Sequence, residues 1–338
     1  MTGPLEGLPD RARRRLVAAP QPSWVEPMAA TLTERRFSDP GWIFEPKFDG
    51  ERCLAFRKGS RVRLRSRNRK LANDHYPELV EALAAQAAGD FVVDGEVVAF
   101  EGGRTSFARL QRRMQVRDPD AARATGVAVY FYLFDVLHAD GQDVTGLPVR
   151  DRKALLRRLL RFRDPIRFTA HRNADGEAYW REACRKGWEG VIAKRADAAY
   201  EPRRSRLWLK FKCVAEQEFV VGGFTDPEGS RRGFGALLLG YYDDDGGGGE
   251  LVYAGKVGTG FDDPLLERLR RRLGGLERGG PPFAPGRLPS AGVHWVRPEL
   301  VAQVAFTEWT GDGQLRHPRF LGLRRDKRPR EVVRERPS

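Results

Sequence analysis

Cysteine is scarce in this chain of 338 residues. Its three cysteines, Cys53, Cys184 and Cys213, are odd in number, far apart and outside metal-ligand spacing. They exclude a disulfide framework and read as free thiols in a reducing cytoplasm. The five histidines form no HxxxH-type pair and offer no paired metal site. No apolar stretch is long enough for a signal peptide or a membrane-spanning helix. No segment repeats. Acidic residues are in deficit: 46 Asp+Glu face 60 Lys+Arg, a formal net charge of +14. The pI near 10.1 favours a polyanionic partner such as nucleic acid.

What is present suffices for two ordinary domains, because 41% of the residues are hydrophobic and each domain can build a core. Residues 1–22, rich in Pro, Gly and Arg, read as a flexible leader. Residues 42–56 and 61–65 read as strands around the turn Lys58-Gly59-Ser60. Helices are expected over Pro77–Ala88, Phe107–Met114, Arg150–Leu160 and Gly176–Lys186. Further strands fall at Val127–Leu137, Gly190–Ala193 and Leu207–Val214. The first part, residues 23–213, is therefore α+β. From residue 214 to residue 338 the pattern changes to short strands with one helix, Pro264–Leu273. The strands Ala236–Tyr242 and Leu251–Val257 make a hairpin around Asp243–Gly249. A small closed barrel is the expectation, with the OB-fold its natural form for a basic unit.

Several charged segments sit at strand ends. Lys47 follows the apolar run Trp42-Ile43-Phe44 within Glu45-Pro46-Lys47-Phe48-Asp49-Gly50-Glu51-Arg52. That places an amine where a strand meets a turn. An amine attacks phosphorus only when neutral, and nearby cations such as Arg52 favour that form. Asp94-Gly95-Glu96 lies between two apolar strands, where carboxylates suit a hard cation or a sugar hydroxyl. Glu189 opens the strand Gly190-Val191-Ile192-Ala193-Lys194 in the same way. In Trp208-Leu209-Lys210-Phe211-Lys212, alternation sends Lys210 and Lys212 to one face, which suits a polyphosphate. Ser66-Arg67-Asn68-Arg69-Lys70 can grip backbone phosphates. Residues 316–338 carry nine Lys/Arg against three Asp/Glu and include Arg324-Arg325-Asp326-Lys327.

The order of these segments, with Phe134-Asp135 after its hydrophobic run, resembles the covalent nucleotidyltransferase superfamily, and specifically ATP-dependent DNA ligases of the bacterial end-joining type. The resemblance runs from about Trp24 to Val333 and includes Glu308-Trp309-Thr310 and Arg316–Leu323. It implies an ATP-grasp-like adenylation (nucleotidyltransferase) domain of antiparallel sheets with helices, followed by an OB-fold β-barrel. It also implies that the chain is a standalone ligase or a ligase module, with no room for further modules.

The resemblance assigns roles. Lys47 takes AMP from ATP as a phosphoramidate and passes it to a 5′-phosphate, and the 3′-hydroxyl displaces it. Glu45, Arg52 and Glu96 hold the nucleotide, Phe134 stacks on adenine and Val191 packs on the other side. Glu96 and Glu189 serve Mg²⁺ or Mn²⁺. Lys210 and Lys212 act with Lys47 and Arg52 as the catalytic set and hold the α-phosphate. Arg324, Asp326 and Lys327 orient the leaving pyrophosphate, and for this the barrel closes on ATP. Ser66, Arg67 and Asn68 bind DNA, joined by Gln111 and Arg113 on a basic helix. The implied partners are nicked or broken double-stranded DNA and a DNA-end-binding protein, for a monomer with no membrane contact in the nucleoid-bearing bacterial cytoplasm. Arg69 stands where many ligases carry glycine, a departure that bears on the loop geometry. Two alternatives stand beside this reading. One is an RNA ligase or a GTP-using capping enzyme with the same lysine chemistry. The other is a non-catalytic OB-fold nucleic-acid-binding protein.

Overall fold

The computed structural model describes residues 3–213, 215–227, 229, 231–243 and 249–335. The chain divides into two compact units, Met1–Cys213 and Val214–Arg336. The first unit begins with α1 (Asp10–Arg13), β1 (Val17–Ala18) and β2 (Ala29–Leu32). It continues through β3 (Trp42–Lys47), β4 (Glu51–Lys58), β5 (Arg61–Ser66), α2 (Pro77–Ala84), β6 (Phe91–Glu101) and β7 (Arg104–Thr105). Then come α3 (Phe107–Met114), α4 (Pro119–Ala124), β8 (Val129–Ala139), β9 (Gln142–Asp143), α5 (Val149–Leu159) and β10 (Ile166–Phe168). β11 (Arg172–Asn173), α6 (Gly176–Arg185), β12 (Gly190–Arg195) and β13 (Arg204–Lys212) complete it.

Two sheets form from these strands. The larger runs β1-β9-β8-β6-β4-β5, with β10 on β8 and β7 on β6, and the smaller runs β11-β3-β12-β13-β2. Alternation decides which face of each sheet is buried. In β8, Val129, Phe131 and Leu133 enter the main core with Leu79 and Leu83 of α2, Phe107 and Leu110 of α3, and Leu155 and Leu156 of α5. Tyr130, Tyr132 and Phe134 take the opposite face and are half-buried. In the smaller sheet, Phe44, Val191, Ala193 and Phe211 pack under Tyr179 and Ala183 of α6. Their neighbours in sequence point the other way, and that second face carries the charged segments.

The second unit consists of β14 (Ala215–Thr225), β15 (Leu237–Tyr242), β16 (Leu251–Val257), α7 (Asp263–Gly274), β17 (Glu277–Arg278), β18 (Val293–Phe306), β19 (Glu308–Trp309), β20 (Leu315–Arg316) and β21 (Arg319–Arg324). Its main sheet runs β16-β15-β14-β18-β17, with β21 on β18. Among the described residues no ladder joins β16 to β21, so the hydrogen-bonded barrel is partly open, as OB-folds are. The Asp262 side chain caps α7 by accepting from the Leu265 N–H at 2.8 Å.

Several expectations are corrected. The described part of the expected leader, residues 3–22, is anchored: β1 pairs with β9, and Leu8 and Ala12 are buried in the main core. Short apolar side chains among the prolines supply that anchorage. Asp94-Gly95-Glu96 is not a break between strands but the middle of β6, where a register shift accommodates it. Cys184 and Cys213 are joined by a disulfide with Cα atoms 5.2 Å apart, and Cys53 is buried and outside any disulfide. The two paired cysteines lie far apart in sequence, and α6 brings one of them to the end of β13. The hairpin tip Asp243–Gly249 lies largely outside the described residues. Among the described residues no helix is long and apolar enough to cross a membrane.

Candidate active site

Lys47 ends β3, and its position follows from two neighbours. The Asp49 carboxylate accepts from the Phe107 N–H at 2.9 Å, and the Asp49 N–H donates to Thr105 Oγ1 at 3.1 Å, which moors the turn to the start of α3. Gly50 lets the turn press on β6: a Cβ there would lie 2.3 Å from the Val97 carbonyl oxygen. Lys-x-Asp-Gly is therefore a strand end pinned over the larger sheet.

The ladders place the other cations. Gly190 pairs with Lys47 on one side and with Lys212 on the other, and Ile192 likewise bridges Glu45 and Lys210. Directly paired residues share a face, so Lys47 and Lys212 face the same way about 9–10 Å apart at Cα. Gly190 stands between them. It also has φ 152, and a Cβ would meet the Phe211 carbonyl oxygen at 2.1 Å. Lys47 forms an ion pair with Glu189, which is nearly buried.

Glu45 is held more tightly. Its carboxylate lies between Lys153, in a short contact, and Lys194 at 2.8 Å, all three side chains buried. Burial pushes the Lys194 ammonium below its usual range, while Glu45 opposes that shift. The Lys194 ammonium also lies 4.4 Å from the Phe134 ring centroid and 4.0 Å from that of Trp208. Thus the smaller sheet meets the larger one at Phe134.

On the larger sheet, Arg52 pairs with Glu96, and Glu96 pairs with Tyr132. The Arg52 Nε donates to Asp94 at 2.9 Å and Nη2 to the same carboxylate at 2.5 Å, and Nη1 donates to the Met28 carbonyl at 2.6 Å. Tyr200 completes the network, its hydroxyl donating to Asp94 at 2.8 Å. Burial opposes the Arg52 charge, but Asp94 outweighs it and holds the guanidinium protonated. Arg52 is therefore a fixed charged wall beneath Phe134, with its ring centroid 5.3 Å away.

The structure brings Lys47, Glu45, Glu189, Lys210 and Lys212 to one face of the smaller sheet, and Arg52, Glu96 and Phe134 to one face of the larger. Val191 is the exception. It is fully buried with Phe44 and Phe211 on the opposite face from Lys47, so it does not reach a nucleotide there. Strand alternation is the reason, and Ile192 takes the inward position. Alternation alone could have found Ile192. Asp94 and Tyr200 as keepers of Arg52, and Lys153 as keeper of Glu45, carry no local signal because their partners are remote in sequence.

Ser66 ends β5 and is buried at 2% exposure, which corrects its reading as a DNA contact, whereas Arg67 and Asn68 follow in the turn and are half-buried. Arg69 has φ 61, so it adopts the left-handed turn that a glycine would take. Gln111 and Arg113 are a correction. Both are buried on the inner side of α3, and Arg113 donates to the carbonyls of His75 and Val127 and to both Glu78 oxygens. Arg113 is enclosed at 2% exposure, so its guanidinium is not presented to DNA. In the second unit Arg324 grips Asp326 through two hydrogen bonds, and Lys327 pairs with Glu218 at 3.0 Å.

A lysine on a strand end, flanked by paired lysines and faced by an aromatic platform, followed by an OB-fold-like unit, defines a covalent nucleotidyltransferase. Residues 26–212 match the ATP dependent DNA ligase domain, and residues 230–327 match the ATP dependent DNA ligase C terminal region. The chain belongs to the ATP-dependent DNA ligase family. It is 39% identical over 324 residues to the multifunctional non-homologous end joining protein LigD of Pseudomonas aeruginosa, covering 94% of this chain and 38% of that protein. It is 40% identical over 303 residues to the multifunctional non-homologous end joining DNA repair protein LigD of Mycobacterium tuberculosis, covering 87% and 37%. The chain thus spans well under half the length of these relatives. Among solved structures it is similar to mycobacterial DNA ligase D complexed with ATP and MES, with a TM-score of 0.65 and 36% identity over 92% of this chain and 98% of that one.

Proposed function

We propose that this protein is an ATP-dependent DNA ligase that seals 5′-phosphate/3′-hydroxyl breaks in duplex DNA during repair or end joining. The observation that carries the reading is the face shared by Lys47 and Lys212 across Gly190, with Glu189 on the Lys47 ammonium. In this reading Glu189 orients the lysine, which loses its proton before attack. The Lys47 nitrogen bonds to the α-phosphorus of ATP as the α–β phosphoanhydride bond breaks, and pyrophosphate departs. Lys210 and Lys212 hold the α-phosphate and meet the charge that develops there. Glu45, Arg52, Glu96, Phe134 and Ile192 form the nucleotide pocket. The DNA 5′-phosphate, held by Arg67 and Asn68, takes AMP as the nitrogen–phosphorus bond breaks. The 3′-hydroxyl then attacks that phosphate and AMP leaves. Arg324, Asp326 and Lys327 serve the pyrophosphate end of ATP.

Two carboxylates, Glu96 and Glu189, fit a hard divalent cation that keeps phosphate and water in its other positions. Bound there, Mg²⁺ or Mn²⁺ would supply charge neutralisation at the phosphates. The protein acts as a monomer on nicked or broken DNA in the bacterial cytoplasm and receives ends from a DNA-end-binding protein.

Incubation with α-labelled ATP and Mg²⁺ or Mn²⁺ tests the reading. Wild-type protein should carry acid-precipitable label, and Lys47→Ala should carry none. Label from GTP alone would point to capping chemistry, and label from neither nucleotide on nucleotide-free protein would remove the enzymatic reading.

A further inference from the structure

Four aromatic side chains beside this site belong to no hydrophobic cluster. Phe48, Phe100, Tyr130 and Tyr132 are half-buried and are absent from every core of the first unit. They nevertheless touch one another. Phe48 and Tyr132 have ring centroids 4.4 Å apart, Phe100 and Tyr130 5.6 Å, and Phe100 and Tyr132 6.3 Å. Tyr130, Tyr132 and Phe134 alternate along β8 on one face, so the strip continues from the adenine platform for about 13 Å. Its near end is Phe48, the residue after Lys47.

Arg167 fixes the far end. Its guanidinium carbon lies 3.8 Å from the Tyr130 centroid, and Nη1 donates to the Tyr132 hydroxyl at 2.9 Å. Asp164 accepts from Nε at 2.6 Å and from Nη2 at 2.9 Å. The Arg167 charge is thus paired internally, and its role is to hold the two rings still. A rigid set of aromatic faces that the core does not use is a poor solubility choice and a good docking surface. Rings ordered in advance lose little entropy on binding.

We propose that the strip Phe48–Tyr132–Phe100–Tyr130, clamped by Arg167, is the surface on which the sugars and bases of the nucleotides flanking the DNA break dock. The occupant follows from continuity: the strip begins at the nucleophile's neighbour and extends the face that carries Glu96 and Phe134. Aromatic faces accept sugars and bases of any sequence, which suits an enzyme indifferent to sequence. Tyr130, Tyr132 and Arg167 are positioning residues for the later steps and take no part in lysine adenylation. The inference rests on the ligase reading above.

The test separates the steps. Tyr130→Leu, Tyr132→Leu and Arg167→Gln are made singly in the full chain and compared with wild type. Label transfer from ATP to Lys47 should be unchanged in all three. Sealing of a pre-adenylated nick should fall roughly tenfold for each tyrosine variant, mainly as a higher DNA concentration at half-maximal rate. Tyr132→Trp, which keeps an aromatic face, should recover most of the loss. Unchanged sealing in the leucine variants overturns the proposal, as does a parallel loss of labelling and sealing in all three. Wild-type protein that neither labels nor seals refutes the ligase reading instead.

Discussion

Val191 and Ile192 are neighbours in sequence and opposites in the fold. Val191 packs with Phe44 and Phe211 beneath α6, whereas Ile192 lies between Glu45 and Lys210 on the Lys47 face. The resemblance to ligases pointed to the valine, and the period of two in a strand points to the isoleucine. Their truncations should therefore differ in kind. Val191→Ala should cost about 2 kcal/mol of stability through the cavity it leaves, with the ATP dependence of labelling unchanged. Ile192→Ala should raise the ATP concentration for half-maximal labelling about fivefold, the equivalent of roughly 1 kcal/mol of lost apolar contact. Thermal melts and a titration of label against ATP measure both. A changed ATP dependence in the valine variant alone would reverse the assignment. At this scale the spacing of charges along the strands marked the residues that gather around Lys47. It was silent on which buried groups hold them, since Arg52 finds Asp94 and Tyr200 only after the strands have paired.

At the scale of elements, periodicity was a good guide wherever a segment has one apolar face. The helix expected over Phe107–Met114 forms with those bounds, and β16 likewise keeps the expected Leu251–Val257. Two-residue strands such as β9 and β17 carry too little pattern to read, and β21 was hidden in a basic stretch that reads as a solvated tail. α3 shows where charge misleads. Its arginines suggested a nucleic-acid face, yet Arg113 is fully enclosed by carbonyls from chain as distant as His75. The exposed side of the helix carries Arg112 instead. Arg113→Ala should cost about 3 kcal/mol by breaking a buried pair, with no loss of DNA affinity beyond the unfolded fraction. Arg112→Ala should leave stability within about 0.5 kcal/mol. It should weaken binding uniformly across sequences and lower the salt slope by about 1. Denaturant melts and DNA titrations at several salt concentrations separate these outcomes.

At the scale of the molecule, the two units rest on separate foundations. The cores of the first unit draw on residues up to Phe211, and a single cluster from Phe219 to Val332 supports the second. Units with their own cores commonly unfold as separate cooperative transitions. The disulfide gives a way to tell them apart, because Cys184 and Cys213 both lie in the first unit. The bond closes a sequence separation of 29 residues, and constraining an unfolded chain over such a loop is worth about 3–4 kcal/mol. For a unit of this size that corresponds to a shift of roughly 7–14 °C in midpoint. Calorimetry of the oxidised full chain should therefore show two transitions. Added reductant should lower one by about that amount and leave the other in place. Replacing Cys184 by serine should reproduce the reduced profile and make it indifferent to reductant. A single transition moving as a whole would mean that the two units fold as one cooperative body, and a profile unmoved by reductant would mean that the bond contributes nothing to the first unit.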